Sequence, residues 1–473
     1  MNVCMFVKNS FEYDARVTKE ARTLIANGHD VTVVAIHVPG VTAERETTPD
    51  GIHVRRVSRV HFGLGALNRV AGRYAGSIET RHAKLTGEPV DTAKLAQLAA
   101  VVPASTATPG ANARTSPRPA PSVPTKSSMK SKTWAAVTTP VLRGFAHTAR
   151  FGFRVVKSLL GRQGLALKTW AINQRMIEIG LEVDPDVFHS HDLNTLYIGW
   201  KCAEKTGAKL VYDSHELATE RNRMNNRWRK WAMWNERRGL PKADALITAS
   251  PAWIPFLISR YGSVPDRALE LINVPEYHEQ VPVWDLRGEL DIPADVPILL
   301  YQGSIQENRG IEEALEATLM LEDAVFVVVG YGYHRPTLEA DVAKRNIGNR
   351  VKFFGPIPNH ELLFWTAAAD IGMANIINSS ISYHTSLPNK LFEYIMAGVP
   401  VIGSDSPEIG RVVEGTGVGI ACDPADPGAI AEAARIILAD KQRFVDATKI
   451  AARQYNWTVE SDKLVKLYEQ LSA

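Results

Sequence analysis

Two doubly wound α/β units, each a Rossmann-like parallel sheet with helices on its faces, are what this 473-residue sequence predicts. Three observations carry that reading. Strand-length apolar runs alternate with amphipathic helical stretches over residues 1–60 and again from about residue 297, and such alternation builds parallel sheets. The chain is too long for one ordinary core. With 45% hydrophobic and 22% charged residues, its composition is globular. The division between the units is expected near residues 278–295.

The first unit is expected over 1–280. "NVCMFV" reads as a strand, "ARVTKEARTLIANG" as an amphipathic helix stopped by Gly28, and "HDVTVVAI" as the next strand. "VTAERETTPDGIHVRRV" reads as a loop leading into another short strand. Order resumes after an insertion with "DVFHSHD", "AKLVYDSHE", a long helix through "WRKWAMWNERRGL", and "ADALITAS". The second unit is expected over 285–450. It runs "PILLYQGS", helix "GIEEALEATLML", strand "AVFVVVG", a helix around "RPTLEADVAKRN", strand "VKFFG", helix "HELLFWTAAA" and strand "IGMANI". The stretch "HTSLPNKLFEYIMAGVPVIGSD" and a closing helix pair follow, with 451–473 as the last helix. Ligands of such sheets bind beyond the carboxyl ends of the strands, here in a cleft between the units.

The net charge of +3 hides an asymmetry. The insertion, about 92–176, carries 13 of the 54 Lys/Arg and none of the 51 Asp/Glu if it is counted from Thr92 to Ile177. The remainder thus holds 41 basic against 51 acidic residues, a balance of −10. Residues 102–140 are Ala, Pro, Ser, Thr and Lys, a composition that predicts disorder. Over 141–160 a helical wheel groups Arg143, His147, Arg150, Arg154 and Lys157 beside an apolar arc. That is the layout of an interfacial helix on anionic lipid, and equally of a helix packed on the first unit with a solvated basic rim. Nucleic acid is not an expected partner, because no reading motif accompanies the charge. Three scattered cysteines fit a reducing compartment and make no zinc site. No cleavage-site pattern follows the first apolar run, and no run approaches the length of a membrane span, so a cytoplasmic protein is expected.

The motif at 384–405 raises the chemistry. Ser386 and Pro388 open a helix whose amides at Leu387, Asn389 and Lys390 would lack intrahelical partners. That is an anion site, and Lys390 adds a full charge. Glu393 lies three residues after Lys390 and four after Asn389, on the same face. A carboxylate one turn below a phosphate site suits ribose hydroxyls; a capped helix with an i,i+3 Lys–Glu pair accounts for the same residues. "HSHD" places His189, His191 and Asp192 after a strand, and Asp14 and Arg16 open the first helix. Asp14 and Arg16 sit on the acceptor side of the cleft, or form a surface pair. The "GYG" at 330–332 is a weak signal, and a dehydrogenase is excluded by the first loop, "KNSFEYDARVTKEA", which has no glycine.

Together, "DVFHSHDLNTL", "AKLVYDSHE", "ADALITAS", "LINVPE", "YQGSIQENRGIEEALEA", "FVVVGYG", "VKFFGPIPNHEL", "SLPNKLFEYIMAGVPVIGSD" and the closing "YNW" resemble the family 4 retaining glycosyltransferases of GT-B fold. The resemblance implies transfer of a sugar from a nucleotide-diphosphate sugar to a glycan, lipid or small-molecule acceptor, without metal or other cofactor, in polysaccharide or cell-envelope synthesis. It implies that Glu393 holds the donor ribose. Lys390 and the amides near Ser386, Leu387 and Asn389 would meet diphosphate and sugar, and Gly332 would border the donor. Residues 303–310 match the phosphate loop, so Gly303, Ser304 and Arg309 fall on the donor side. Ser304 stands where the family has an arginine, and Arg309 where it has a lysine. Thr385 stands at the family's other glutamate. His191 would position the transferred sugar, with Lys390 and Arg309 as the other catalytic groups and Asp192 beside it. The last helix, 451–473, would cross back onto the first unit. A GT-B epimerase and an inactive membrane-associated scaffold are the alternatives.

Overall fold

The computed structural model of the protein describes residues 1–58, 167–222 and 224–473. Residues 1–58 and 173–473 form one compact unit. Both sheets belong to it. The low-complexity stretch at 102–140 and the basic helix expected at 141–160 lie outside the described residues.

The architecture is α/β with two parallel sheets. The first, drawn from residues 2–270, has strand order β3-β4-β2-β1-β5-β6-β7-β8 among the described residues. β1 (Asn2–Phe6), β5 (Val187–His191) and β6 (Lys209–Ser214) form its centre, flanked by β2 (Asp30–His37) and β7 (Ala245–Thr248). Their residues are buried almost throughout, as expected of a parallel sheet covered on both faces. The second, drawn from 298–422, has the order β11-β10-β9-β12-β13-β14 and is parallel throughout. β9 is Ile298–Gln302, β10 Val325–Val329, β11 Val351–Phe354, β12 Ile371–Ala374 and β14 Gly419–Cys422, and β8 of the first sheet is Arg267–Glu270. In each sheet the strand order reverses beside the first strand, between β1 and β5 and between β9 and β12. Those reversals open the crevices in which doubly wound sheets bind ligands.

One expectation is corrected. Residues 41–57 are not a loop into a single strand; they form a hairpin of β3 (Arg45–Thr47) antiparallel to β4 (His53–Ser58). Gly51, at φ 84°, turns the chain, and the amide of Thr48 donates to Ile52 O at 2.9 Å. Gly51 supplies the left-handed residue of this longer hairpin loop.

Seven helices matter for the site. α1 (Ala15–Ala26) is capped by Asp14, whose carboxylate accepts from the Val17 amide. It buries Arg16, Val17, Glu20, Ala21 and Leu24. α2 (Leu193–Thr206) and α3 (Asn226–Gly239) pack against each other beyond β5 and β6. α4 (Trp253–Tyr261) follows β7, and α5 (Ile311–Leu319) follows β9. α6 (Asn389–Met396) lies against β12 and β13 (Val401–Ser404). α7 (Trp457–Ser472) packs on α1: Trp457 Nε1 donates to Thr23 Oγ1 at 3.0 Å, and Leu464, Leu467 and Tyr468 are buried. One continuous apolar core therefore reaches from Val3 to Tyr468 and ties the two sheets together.

Candidate active site

A cleft of about 800 Å³ opens at the carboxyl ends of both sheets, with walls from each. Its floor is the start of α6. Pro388 stands at the N-cap with extended backbone (φ −75°, ψ 140°) and no side chain caps the helix. Ser386, expected to help there, instead donates its hydroxyl to Tyr383 O at 3.1 Å. An uncapped helix start presents amides and the positive end of the helix dipole to the cleft.

Lys390 sits one residue into that turn, 7% exposed, with Nζ 3.4 Å from the centroid of the Tyr301 ring. Its amine has no hydrogen-bond partner. Burial pushes its pKa well below the ordinary lysine range, and Arg309 pushes the same way. Glu393, a turn further, accepts from Gln302 Nε2 at 2.5 Å. The Gln302 carbonyl in turn accepts from Thr366 Oγ1 at 2.8 Å, which fixes the amide so that its NH₂ faces Glu393. Burial raises the Glu393 pKa, while Gln302 and Lys390 oppose that rise.

The loop after β9 forms the adjoining wall. Gly303 and Ser304 line the cleft, and Arg309 stacks its guanidinium 4.6 Å from the Tyr383 ring centroid. Arg309 Nε is buried without a partner. The loop closes on Gly310, at φ 72°, where a Cβ would fall 1.7 Å from Asn375 O. Only glycine fits that close approach. Two basic side chains and an open helix start thus converge where no acidic group but Glu393 lines the same wall.

The opposite wall comes from the first sheet. Asp14 and Arg16 line the cleft, but neither is a simple surface group. Asp14 caps α1 and accepts from Asn9 Nδ2 at 2.7 Å. Arg16 is 5% exposed and fully engaged: it donates to Asp213 at 2.9 and 3.2 Å, to Leu271 O at 2.9 Å, and pairs with Glu20 at 2.9 Å. Asp213 also meets His191 Nδ1 at 3.2 Å and His215 Nε2 at 2.9 Å. Burial opposes ionisation of Asp213, yet Arg16 and His215 outweigh it and hold the carboxyl well below its usual range. For His215, burial is outweighed by Asp213 and Asp192, and its pKa rises to about 9. Glu20 goes the other way, to about 8, by burial and by the charge of Asp213. The cluster therefore sets Arg16 and His215 around an Asp213 biased toward its charged form, while Glu20 is biased toward its neutral form. His215, about a fifth exposed, turns its positive charge to the cleft.

Four site residues expected on the walls, His191, Asp192, Gly332 and Thr385, lie elsewhere. His191 is the last residue of β5 and 2% exposed; its ring stacks on His189 at 4.2 Å and faces Asp213 and Glu20. It stands behind the cleft, and His215, one residue beyond the end of β6, takes the wall position. Asp192 starts α2 at φ 66° and lies 3.8 Å from His215, also outside the lining. Gly332 does not border the cleft; a Cβ there would meet Ile305 O at 1.9 Å, so its smallness serves loop packing. Thr385 faces the other sheet's unit: its hydroxyl accepts from Trp253 Nε1 at 3.0 Å, and its carbonyl accepts from Ser250 Oγ at 2.7 Å. The remaining expected residues, Ser386, Leu387 and Asn389, line the floor. Glu216, next to His215, lines the wall too.

Glu20, His189, His191 and Asp213 bring potential metal-ligand atoms within 4.8 Å of one another. Arg16 already binds both carboxylates, so the cation that pair requires is supplied by the chain itself.

Comparison with known proteins bears on this geometry. Residues 282–455 match the family described as glycosyl transferases group 1, and residues 136–273 match glycosyltransferase family 4. A D-inositol 3-phosphate glycosyltransferase of Xylanimonas cellulosilytica is 25% identical over 305 residues, covering 60% of this chain and 72% of that protein. One from Streptosporangium roseum is 30% identical over 215 residues, 41% and 49% of the two chains. Among solved structures, sucrose-phosphate synthase of Thermosynechococcus elongatus superposes with a TM-score of 0.64 at 17% identity, covering 100% and 99% of the chains. HepE of Anabaena, solved with UDP, superposes at 0.62 and 12% identity, covering 99% and 100%. With matches in both halves and this fold throughout, the chain belongs to the family 4 glycosyltransferases of GT-B fold.

Proposed function

We propose that the protein transfers a sugar from a nucleotide-diphosphate sugar to an acceptor hydroxyl with retention of configuration and without a metal ion. The observation that carries this reading is the uncapped start of α6 with the buried, unpartnered amine of Lys390 and the guanidinium of Arg309 beside it. A diphosphate placed there meets backbone amides and two side-chain donors, all fixed before the reaction. Glu393, oriented by Gln302, accepts from ribose hydroxyls one turn below. In the transfer, the bond from the anomeric carbon to the diphosphate oxygen breaks and a bond to the acceptor oxygen forms on the same face. The acceptor proton leaves with the departing diphosphate, whose growing charge is what Lys390 and Arg309 stabilise.

The basic side chains of Lys390 and Arg309 support the metal-independent reading. The Asp184-Pro185-Asp186 run lies at the amino end of β5, away from the cleft at the carboxyl ends. The relatives' acceptor, D-inositol 3-phosphate, is anionic, and the positive His215 on the opposite wall suits a phosphorylated or otherwise acidic acceptor. A role in cell-envelope or polysaccharide synthesis, at the inner membrane surface, belongs to the same proposal.

The test is incubation with UDP-, GDP- and ADP-sugars in the presence of EDTA, with the anomeric configuration of product read by NMR. Donor hydrolysis or transfer, falling by about 10²–10³ in Lys390→Ala, is the expected outcome. Absence of binding by any nucleotide sugar overturns the proposal in favour of an inactive scaffold, and an inverted product overturns the retaining mechanism.

A further inference from the structure

Helix α3 carries a surface that the transfer reaction does not use. Trp228, Trp231 and Trp234 follow one another at three-residue spacing and are 38%, 37% and 43% exposed. Large aromatic side chains are usually buried on folding, and three on one exposed helix need a reason. The charge pattern supplies one. Arg227, Arg229, Lys230, Arg237 and Arg238 accompany them, against the single acid Glu236. Glu236 is buried and accepts from Tyr212 OH at 3.0 Å and Tyr261 OH at 2.8 Å, so it does not offset the surface charge. Arg229 turns inward to Glu220, at 2.9 and 2.7 Å. Arg238 stacks 4.7 Å from the Trp234 ring centroid, and Arg227, Lys230 and Arg237 form no ion pair among the described residues.

At 3.6 residues per turn, Ala232, Asn235, Glu236 and Gly239 make the buried face toward α2. Trp231, Trp234, Arg227, Lys230, Arg237 and Arg238 fall together on the opposite arc. We infer that this arc of α3 is a docking surface for anionic lipid bilayers. Tryptophan prefers the headgroup level, with its ring among acyl carbons and its N–H in water. Arginine and lysine of one sign beside it meet anionic headgroups, each contributing to partitioning. On the helix itself the arc carries no exposed carboxylate, which fits an anionic lipid surface. Its position is also apt. β6 delivers His215 and Glu216 to the acceptor wall, and α3 starts ten residues after Glu216. The intervening loop bonds across to the second sheet's unit through Asn222 Nδ2 and Ser379 Oγ at 2.6 Å. If the glycosyltransferase reading holds, a bilayer under α3 presents a lipid-linked acceptor beside that wall.

Vesicle co-sedimentation of the full chain tests this without any substrate, so its failure leaves the transfer reading untouched. Wild-type protein is expected to bind vesicles containing phosphatidylglycerol, to release them in high salt, and to ignore neutral phosphatidylcholine. Neutralising three charges in R227Q/K230Q/R237Q should lower partitioning on the order of 100-fold. W231S/W234S should weaken it too, and brominated lipid should quench the tryptophan emission of wild type but far less that of W231F/W234F. Circular dichroism and retained UDP binding establish that the variants are folded. Three results overturn the inference: no binding by wild type, equal binding to neutral vesicles, or binding unchanged in the charge and tryptophan variants. The last would assign the bilayer contact to another segment, such as the basic stretch at 141–160.

Discussion

Lys390 is held in a state that the protein alone does not favour. Its amine is buried against Tyr301, faces the positive Arg309, and has no hydrogen-bond acceptor. Its pKa therefore lies well below the ordinary value in the free protein, and under the proposed donor reading a diphosphate bound beside it raises that pKa. Donor affinity is thus linked to a proton. As pH rises from the depressed pKa of the free protein toward the higher pKa of the complex, affinity for UDP should fall. Calorimetry in buffers of different ionisation enthalpy should record proton uptake on binding in that window. Lys390→Met should abolish the uptake while leaving the thermal midpoint equal or higher, because a buried amine is replaced by an apolar chain of similar length. Binding without proton uptake in wild type would refute the linkage. At this scale the sequence was informative where chemistry is local: Lys390, Asn389 and Glu393 share a helix face by spacing alone. It was blind to Arg16 and Asp213, whose bond spans a separation of 197 residues. His191 and His215 both follow apolar strands, and only the strand ends tell them apart. His191 is still within β5 and faces inward, whereas His215 lies just past β6 and reaches the cleft.

Among elements, α7 shows how a C-terminal helix stabilises a site it does not touch. Asn456 caps it by accepting from the Val459 amide, and Glu460 accepts from the Ile272 amide at 2.8 Å. Tyr468 OH meets His189 Nδ1 at 2.9 Å, directly behind the His191–Asp213 cluster. Trp457 is 4% exposed, bonds to Thr23, and lies under Lys19 Nζ at 4.7 Å. Replacing it with alanine removes a large buried ring and the N–H bond together, and should cost about 3–5 kcal/mol in denaturant unfolding. A loss below ~1 kcal/mol would mean that α7 is only loosely docked. The strong periodicity of these helices made their existence legible. The β3–β4 hairpin was missed because β3 is three exposed residues, "RET", with no apolar alternation to mark it. The turn of α6 was legible except for Ser386, which a preceding four-residue helix (Ile381–His384) draws into its own last turn.

On the scale of the whole molecule, Thr385 matters because of where it points. In this family's pattern its position belongs to a glutamate at the donor sugar, yet here the side chain accepts from Trp253 at the start of α4. With the Ser250 bond to its carbonyl and the Asn222–Ser379 bond, it links segments that follow strands of the two different sheets. The sequence could register the substitution but not its geometry, since Trp253 lies 132 residues away. A fixed link of this kind holds the walls at the spacing the structure shows, and domain closure is a step that such links govern. Thr385→Val keeps the size of the side chain but leaves the Trp253 N–H without its acceptor, a loss of about 1–3 kcal/mol if that group stays buried. Because the bond joins segments beyond the strand ends of the two sheets and not strands within one, that loss should favour opening of the cleft over unfolding. Small-angle scattering should give a larger radius of gyration for Thr385→Val without donor, and added UDP should restore the wild-type value by drawing the walls together. Turnover should fall more than donor affinity. An unchanged radius together with a lowered thermal midpoint would show instead that Thr385 braces its own unit, and that closure is governed elsewhere.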